Sequence, residues 1–174
     1  MSHEEAMYCL LDLLERRWRT QPLDEWSLSF PYLAGSIPFH CYAEINPNME
    51  AFLFRAIMGG APLDREYYGN MKDLCTLHNV RIPSGCFAFN PENGELRFKN
   101  SVYFWRQELT EQMMRNVIEP SLLLLDNYVL SLVAVHVGKS VQEALTRVGE
   151  DPGVGKSSAC HYKQEPHPRE TPSA

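Results

Sequence analysis

The chain has 174 residues and a formal net charge of −6, with 44% hydrophobic and 22% charged residues. These values are typical of a single globular domain, and the acidic balance argues against binding to nucleic acid, whose phosphates select basic surfaces. The amino terminus is acidic and no apolar run reaches the roughly 18 residues of a membrane span, so we expect a cytoplasmic protein without membrane contact.

Five widely spaced cysteines, without a CxxC motif, argue against a disulfide framework. We expect them to be thiols in a reducing compartment, mostly as small apolar core residues.

The first predicted element is a helix that begins at Ser2, because Ser2 and Glu5 match a capping box. Apolar residues follow at helical spacing, and Pro22 is predicted to end the helix.

Three strands are predicted next, from Trp26 to Tyr32, from Ile37 to Ile45 and from Met49 to Met58. The third is apolar on both sides around Phe52, Leu53 and Phe54. That pattern indicates burial on both faces, or one face kept for a partner.

A second helix is predicted from Pro62 to about His78, and Gly69 inside it requires an explanation such as a close backbone contact. A hairpin follows, with strands at 86–90 and 95–102. Its link contains Asn93-Gly94, which is a strong hairpin-turn signal.

Thr110 is the predicted N-cap of a long helix that Gly138 ends, and Pro120 inside it predicts a kink or a break. Ser140 begins a short last helix. We expect residues 1–149 to form one α+β domain, in the order α-β-β-β-α-β-β-α, and residues 150–174 to be a disordered tail, because they carry too little apolar area to fold.

The stretch Gly149–Ser157 resembles a phosphate-binding P-loop, but Glu150 stands where that motif requires glycine. No buried strand precedes it either. We therefore interpret it as part of the tail and predict no cofactor there.

Cys75 and His78 lie one helical turn apart and could share a metal with His40, Cys41 or Cys86. An enzyme that uses Cys75 or Cys86 with His78 is a further hypothesis. Buried packing explains these residues more simply, so we predict no metal, no catalytic residue and no enzyme.

Many aromatic residues fall on or beside the predicted strands. They form a core between sheet and helices, or leave an apolar surface for another chain. The residues selected as candidates for partner binding are Phe52, Phe54, Phe87, Phe89, Phe98, Tyr128 and Leu132.

Several segments resemble the YbjN-like family of bacterial sensory-transduction regulators. The segments are Leu77-His78-Asn79, Gly85-Cys86-Phe87-Ala88-Phe89-Asn90, Asn93-Gly94-Glu95-Leu96-Arg97-Phe98, Leu125-Asp126-Asn127-Tyr128, Leu132-Val133, Val135-His136-Val137-Gly138-Lys139-Ser140 and Glu143-Ala144-Leu145. The resemblance extends over roughly residues 5–148.

This resemblance implies a fold like that of type III secretion chaperones, with a twisted antiparallel sheet of about five strands packed against helices. It also implies a cytoplasmic homodimer that binds another protein, such as a secreted effector or a regulator. We therefore predict a protein-binding module with a chaperone-like or regulatory role. The alternative is a small-molecule sensor with an apolar pocket between sheet and helices.

Overall fold

The structure, a computed structural model, describes residues 2–149, which form helices and strands around one hydrophobic core. The helices are α1 (His3–Glu15), α2 (Tyr68–Asn79), α3 (Glu111–His136) and α4 (Val141–Leu145). The strands are β1 (Gln21–Pro22), β2 (Ser27–Ala34), β3 (Ile37–Asn46), β4 (Ala51–Met58), β5 (Cys86–Asn90) and β6 (Glu95–Tyr103). The predicted α+β class is confirmed, whereas the predicted tail lies outside the described residues.

The strands form one antiparallel sheet in the order β1-β2-β3-β4-β6-β5. The carboxy-terminal hairpin therefore joins the sheet through its second strand, β6, which pairs with β4. Cys41 illustrates the register, since it lies opposite Phe30 on β2 and Ala56 on β4. Ala56 in turn lies opposite Phe98 on β6.

The described helices pack on one side of this sheet, which we call the helix face. Alternate residues of each strand point to that side, as the twofold repeat of a strand requires. Phe39, Phe52, Phe54 and Phe98 belong to it and are each at most 1% exposed. The central helix α3 lies over β2, β4 and β6, so these rings fill the space between sheet and helix.

Hydrogen bonds between partly or fully buried side chains join α3 to the sheet. The hydroxyl of Tyr32 donates to Asp126 Oδ2 at 2.7 Å, and Asn100 Nδ2 donates to Ser121 Oγ at 3.1 Å. Burial raises the pKa of both the Tyr32 phenol and the Asp126 carboxyl. Because partly buried polar groups are costly when unpaired, these bonds disfavour any sliding of α3 along the sheet.

Both ends of α3 follow the predicted signals. Thr110 Oγ1 accepts from Met113 N at 3.2 Å, and Gly138 adopts φ +86° just beyond the helix. Pro120 does not interrupt the helix, so the predicted break at that position is wrong. The residues that follow, Ser121 and Leu122, are buried in the core, and this packing outweighs the lost backbone bond.

The two edges of the sheet are covered in different ways. At the β5 edge, Phe87 N donates to Asn79 Oδ1 at 2.8 Å and Asn79 Nδ2 donates to Phe87 O at 2.9 Å. The side-chain amide of Asn79, the last residue of α2, thus makes the two backbone hydrogen bonds that a neighbouring strand would otherwise make with Phe87. At the other edge lies β1, which the sequence does not predict. Pro22, the predicted end of the first helix, belongs to this strand, and α1 already ends at Glu15.

Candidate functional site

The side of the sheet opposite the described helices forms a continuous surface outside the core, which we call the open face. Its residues alternate with the buried ones, so that Arg55 is exposed between Phe54 and Ala56, which are both fully buried. None of the described helices packs on it. The residues at its centre come from β3, β4 and β6 and are Tyr42, Leu53, Arg55, Ile57, Arg97 and Lys99.

A cross-strand row runs over the middle of the open face. Arg55 lies opposite Tyr42 on one side and Lys99 on the other, and Lys99 lies opposite Cys86. The Arg55 guanidinium is 5.7 Å from the centre of the Tyr42 ring and 3.2 Å from Glu44 Oε2. These contacts hold the long side chain of Arg55 flat along the surface.

The charge of the open face differs from that of the whole chain. Arg55, Arg97 and Lys99 give three positive charges and Glu44 and Glu95 give two negative charges, a local net of +1 with neutral histidine, against −6 for the whole chain. Arg97 is paired with Glu95 at 2.8 Å. A surface of this kind suits a partner that offers both carboxylates and apolar side chains.

Shallow clefts subdivide this surface. One of about 430 Å³ lies where β4 and β6 meet the turn into β5, and its lining includes Leu53, Arg55, Cys86 and Lys99. Another of about 380 Å³ lies across β1, β2 and β3 beside Tyr42. Both are lined by polar and apolar atoms, so side chains of either kind fit there.

The structure places most of the predicted partner-binding residues in the core rather than on a surface. Phe52, Phe54, Phe98 and Leu132 are fully buried, Phe87 and Tyr128 are at most 8% exposed, and half-buried Phe89 packs edge-on against Tyr68 at 4.9 Å between ring centres. The selection of these seven residues as a contact surface therefore needs correction.

The selected residues are buried because the sequence alone does not show which residues of a strand face the helices. In β4, three consecutive apolar residues leave open which of them face the helices, and the structure points Phe52 and Phe54 inward and Leu53 outward. The sequence signal that separates the two faces is a cationic residue at alternate positions, because Arg55, Arg97 and Lys99 all lie on the side of Leu53. Because a charge is rarely buried, those positions identify the open face.

Among residues 2–149, no hydrogen bond joins His78 to Cys75 or Cys86. His78 is fully buried, and its Nε2 lies 2.7 Å from Ser131 Oγ. Cys86 points to the open face, and Cys75 is buried, with its pKa raised to about 12 by that burial. A thiol of that pKa remains protonated at neutral pH and is a poor nucleophile.

Space for a ligand is small between the sheet and α2. The cavity beside Met58, Met71, Phe89 and Leu96 has a volume of about 30 Å³, which is the size of one water molecule. Within residues 2–149, no three His, Cys, Asp or Glu side chains are grouped so as to hold a metal ion. The P-loop-like stretch falls outside the described residues beyond Gly149.

Helix α3 is long and apolar enough to cross a membrane by length and composition alone. However, 56% of its most apolar stretch is buried inside the fold, as in the core helix of a globular domain. This feature therefore carries little weight as a sign of membrane insertion.

Comparisons with protein-family models, with curated proteins and with solved structures found no match to this chain. The resemblance to YbjN-like proteins remains a prediction, and the likeness of the fold to type III secretion chaperones is not confirmed.

Proposed function

We propose that this chain is a non-enzymatic protein-binding module with a chaperone-like or regulatory role, and that the open face is its contact surface. The observation that carries the proposal is the one-sided arrangement of the fold. The described helices lie on one side of the sheet, and the other side presents Tyr42, Leu53, Ile57 and cationic residues to its surroundings.

The size of the open face suits a protein partner. Five strands spaced about 4.8 Å apart span about 20 Å, and eight residues at about 3.3 Å each span about 27 Å. The projected area is therefore about 500–600 Å², which is of the same order as the roughly 800 Å² that each partner buries in an ordinary interface. A small metabolite would cover only a fraction of this surface.

The chemistry of the open face supports the same conclusion. Arginine and tyrosine are enriched at the energetic centres of protein interfaces, and Arg55 and Tyr42 lie together at the middle of the sheet. Leu53 and Ile57 flank them on the same strand as Arg55 and supply apolar area. The partner is accordingly a protein surface with exposed apolar side chains and carboxylates, such as a secreted effector or a regulator in the cytoplasm.

The proposal includes a homodimer, in which two copies associate and each retains a surface for the partner. The small-molecule sensor is less well supported, because the space between the sheet and α2, beside Met71 and Phe89, is about 30 Å³, and the larger clefts of about 380–430 Å³ are open at the surface. A pocket for a drug-sized ligand typically has at least about ten times the volume of the space beside Met71.

The test begins with purification of the tagged full-length chain from its native cell and identification of the proteins that remain bound. The purified partner is then titrated against Leu53→Glu and against Leu123→Glu, which introduces the same change at an exposed position of α3. We expect Leu53→Glu to weaken binding at least about tenfold, because it buries a charge in the interface, and Leu123→Glu to bind like the wild type.

Equal affinity of both variants would overturn the assignment of the open face. Light scattering at concentrations of tens of micromolar tests the dimer separately, and a strictly monomeric chain would remove that part of the proposal.

A further inference from the structure

A second surface, away from the open face, forms a cleft between α1 and the segment that leads from β1 into β2. Its volume is about 420 Å³, which is within the usual range of ligand sites. We call it the α1 cleft. Its lining residues are Glu4, Met7, Tyr8, Leu11, Pro22, Asp24, Glu25, Trp26 and Leu28.

The floor and walls of the α1 cleft are apolar. Met7, Tyr8 and Leu11 come from the helix, and Trp26 and Leu28 come from the opposite side. Tyr8 is 75% exposed, which is unusual for a large aromatic side chain on a helix beside an apolar groove. Burial of this ring by a ligand would remove considerable apolar area from water.

Contacts within the protein hold Trp26, which forms one wall of the α1 cleft, in place without a ligand. Trp26 N donates to Asp24 Oδ1 at 2.8 Å, and Trp26 O accepts from Ile45 N at 2.9 Å. The His3 ring packs edge-on against the indole at 6.1 Å between centres. A wall that is already ordered costs little conformational entropy when a ligand binds to it.

The rim of the α1 cleft carries a single sign of charge. Glu4, Asp24 and Glu25 are exposed carboxylates, and among residues 2–149 no lysine or arginine lines the cleft. The hydrogen bond from Ser27 and that from Trp26 lower the pKa of Asp24, so its negative charge persists in mildly acidic solution. An apolar floor inside an acidic rim is complementary to a ligand that is both apolar and cationic.

The shape of the α1 cleft favours an extended chain over a compact molecule. Glu4, Tyr8 and Leu11 follow one face of α1 over seven positions, a length of about 11 Å at 1.5 Å per residue. Three residues of an extended peptide span about 10 Å.

We propose that the α1 cleft binds a short extended protein segment in which apolar or aromatic side chains alternate with lysine or arginine. The apolar side chains enter between Tyr8 and Trp26, and the cationic ones meet Glu4 and Glu25 at the rim. This inference rests on the protein-binding function proposed above and adds a site and a partner chemistry distinct from those of the open face.

The probe is the peptide Gly-Phe-Lys-Leu-Arg-Gly, titrated against the full-length chain while the tryptophan fluorescence of the protein is recorded. The chain contains three tryptophans, so Trp26→Phe and Trp105→Phe locate the signal. We expect the response to disappear in Trp26→Phe and to remain in Trp105→Phe, because Trp105 is an exposed side chain two residues beyond β6 and is not part of the cleft lining.

The charge requirement is tested with matched double variants. Glu4→Lys/Glu25→Lys should weaken binding at least about tenfold, whereas Glu15→Lys/Glu92→Lys, which changes the net charge equally at exposed positions outside the cleft, should bind like the wild type. Peptides in which Glu replaces Lys and Arg, or Ser replaces Phe and Leu, should bind at least about tenfold more weakly.

Three results would overturn the α1 cleft proposal: no preference for the cationic apolar peptide, a signal that persists in Trp26→Phe, or equal loss in both double variants. The Leu53→Glu variant separates the two proposals. Peptide binding that survives in it supports the α1 cleft even if the open face captures no partner. Partner capture on the open face without peptide binding overturns the α1 cleft alone.

Discussion

His78 is a titratable side chain that the fold holds in its neutral form. Ser131 Oγ donates to the carbonyl of Tyr128 at 2.6 Å, so its oxygen accepts from His78 Nε2 at 2.7 Å. The other ring nitrogen, Nδ1, has no hydrogen-bond partner among the described residues. Burial, with a smaller effect from Arg81, lowers the pKa of His78 from 6.5 to about 4.

This lowered pKa predicts a loss of stability in acid. Between pH 6.5 and pH 4 the unfolded chain binds a proton at His78 that the folded chain does not bind. The stability that neutral His78 contributes to the fold is therefore complete above pH 6.5 and is lost as the pH falls. The free energy of unfolding should fall by about 2–3 kcal/mol from this group between pH 7 and pH 4.5. Urea unfolding of the wild type and of His78→Gln at both pH values measures it.

The variant should be less stable than the wild type at pH 7 but should lose less stability on acidification. Since the other carboxyl and imidazole groups titrate in both proteins, their contributions cancel in the comparison. Identical pH dependence of the two proteins would show that His78 is already accessible to protons in the folded state.

At the scale of elements, Gly69 lies near the start of α2 without a packing reason. A Cβ built at this position has no neighbouring atom within 4 Å, and its φ is not in the left-handed region. The close backbone contact considered from the sequence is therefore not present. A glycine in such a place costs conformational entropy on folding without any compensating contact.

Gly69→Ala should stabilise the protein by about 0.5–1 kcal/mol, which corresponds to a rise of about 1–4 °C in the thermal midpoint for a domain of this size. Gly94→Ala is the matched control. Gly94 has φ +72°, and an added Cβ would lie 2.7 Å from the hydroxyl oxygen of Tyr68, so this change should destabilise. Thermal unfolding followed by circular dichroism measures both, and a lower midpoint for Gly69→Ala would contradict the account.

The elements that the sequence predicts well are those with local signals. Both capping boxes, at Ser2 and Ser140, and the Thr110 cap are present as predicted, because each depends only on residues three positions apart. Strand β1 has two residues, and its existence depends on pairing with Ser29 and Leu28, which no local pattern encodes. The continuity of α3 through Pro120 likewise depends on the core around it.

The open face is less predictable from sequence, because it also depends on tertiary pairing rather than on local signals. Phe52, Leu53 and Phe54 are all apolar, so hydrophobicity alone does not assign them to a face of β4, and only the pairing with β3 and β6 does. The α1 cleft combines α1 with residues 22–28, and that proximity is tertiary. Sequence patterns therefore predict elements better than the surfaces that elements share.

At the scale of the whole molecule, the helix face and the open face of the sheet have different roles. Substitutions of neighbouring residues in β4 distinguish the two faces. Phe54→Ala should lower the free energy of unfolding by about 3–5 kcal/mol, because it empties a fully buried site. Leu53→Ala, on the open face, should cost less than about 1.5 kcal/mol. Urea unfolding of the two variants measures the difference, and equal losses would place Leu53 in the core as well.

The outer edge of β2 is a second property of the whole molecule, because it decides whether sheets of separate copies pair. Leu23 N donates to Ser27 O, so the alternation along β2 points the backbone groups of Pro31 and Leu33 to the same side as β1. No described strand pairs with β2 at these two residues on that side. Pro31 has no N–H to offer there, and Leu33 is 64% exposed. A proline on an edge strand is a common device against edge-to-edge association.

Pro31→Val should restore this donor beside an exposed leucine and promote association that grows with concentration. Ser29→Val is the matched control, because it adds an apolar residue to the same strand at a position where β1 already occupies the edge. Static light scattering over a concentration series should show larger species for Pro31→Val than for Ser29→Val or the wild type. If the two variants associate equally, surface hydrophobicity rather than the free edge is the cause, since both add a valine and only one adds an edge donor.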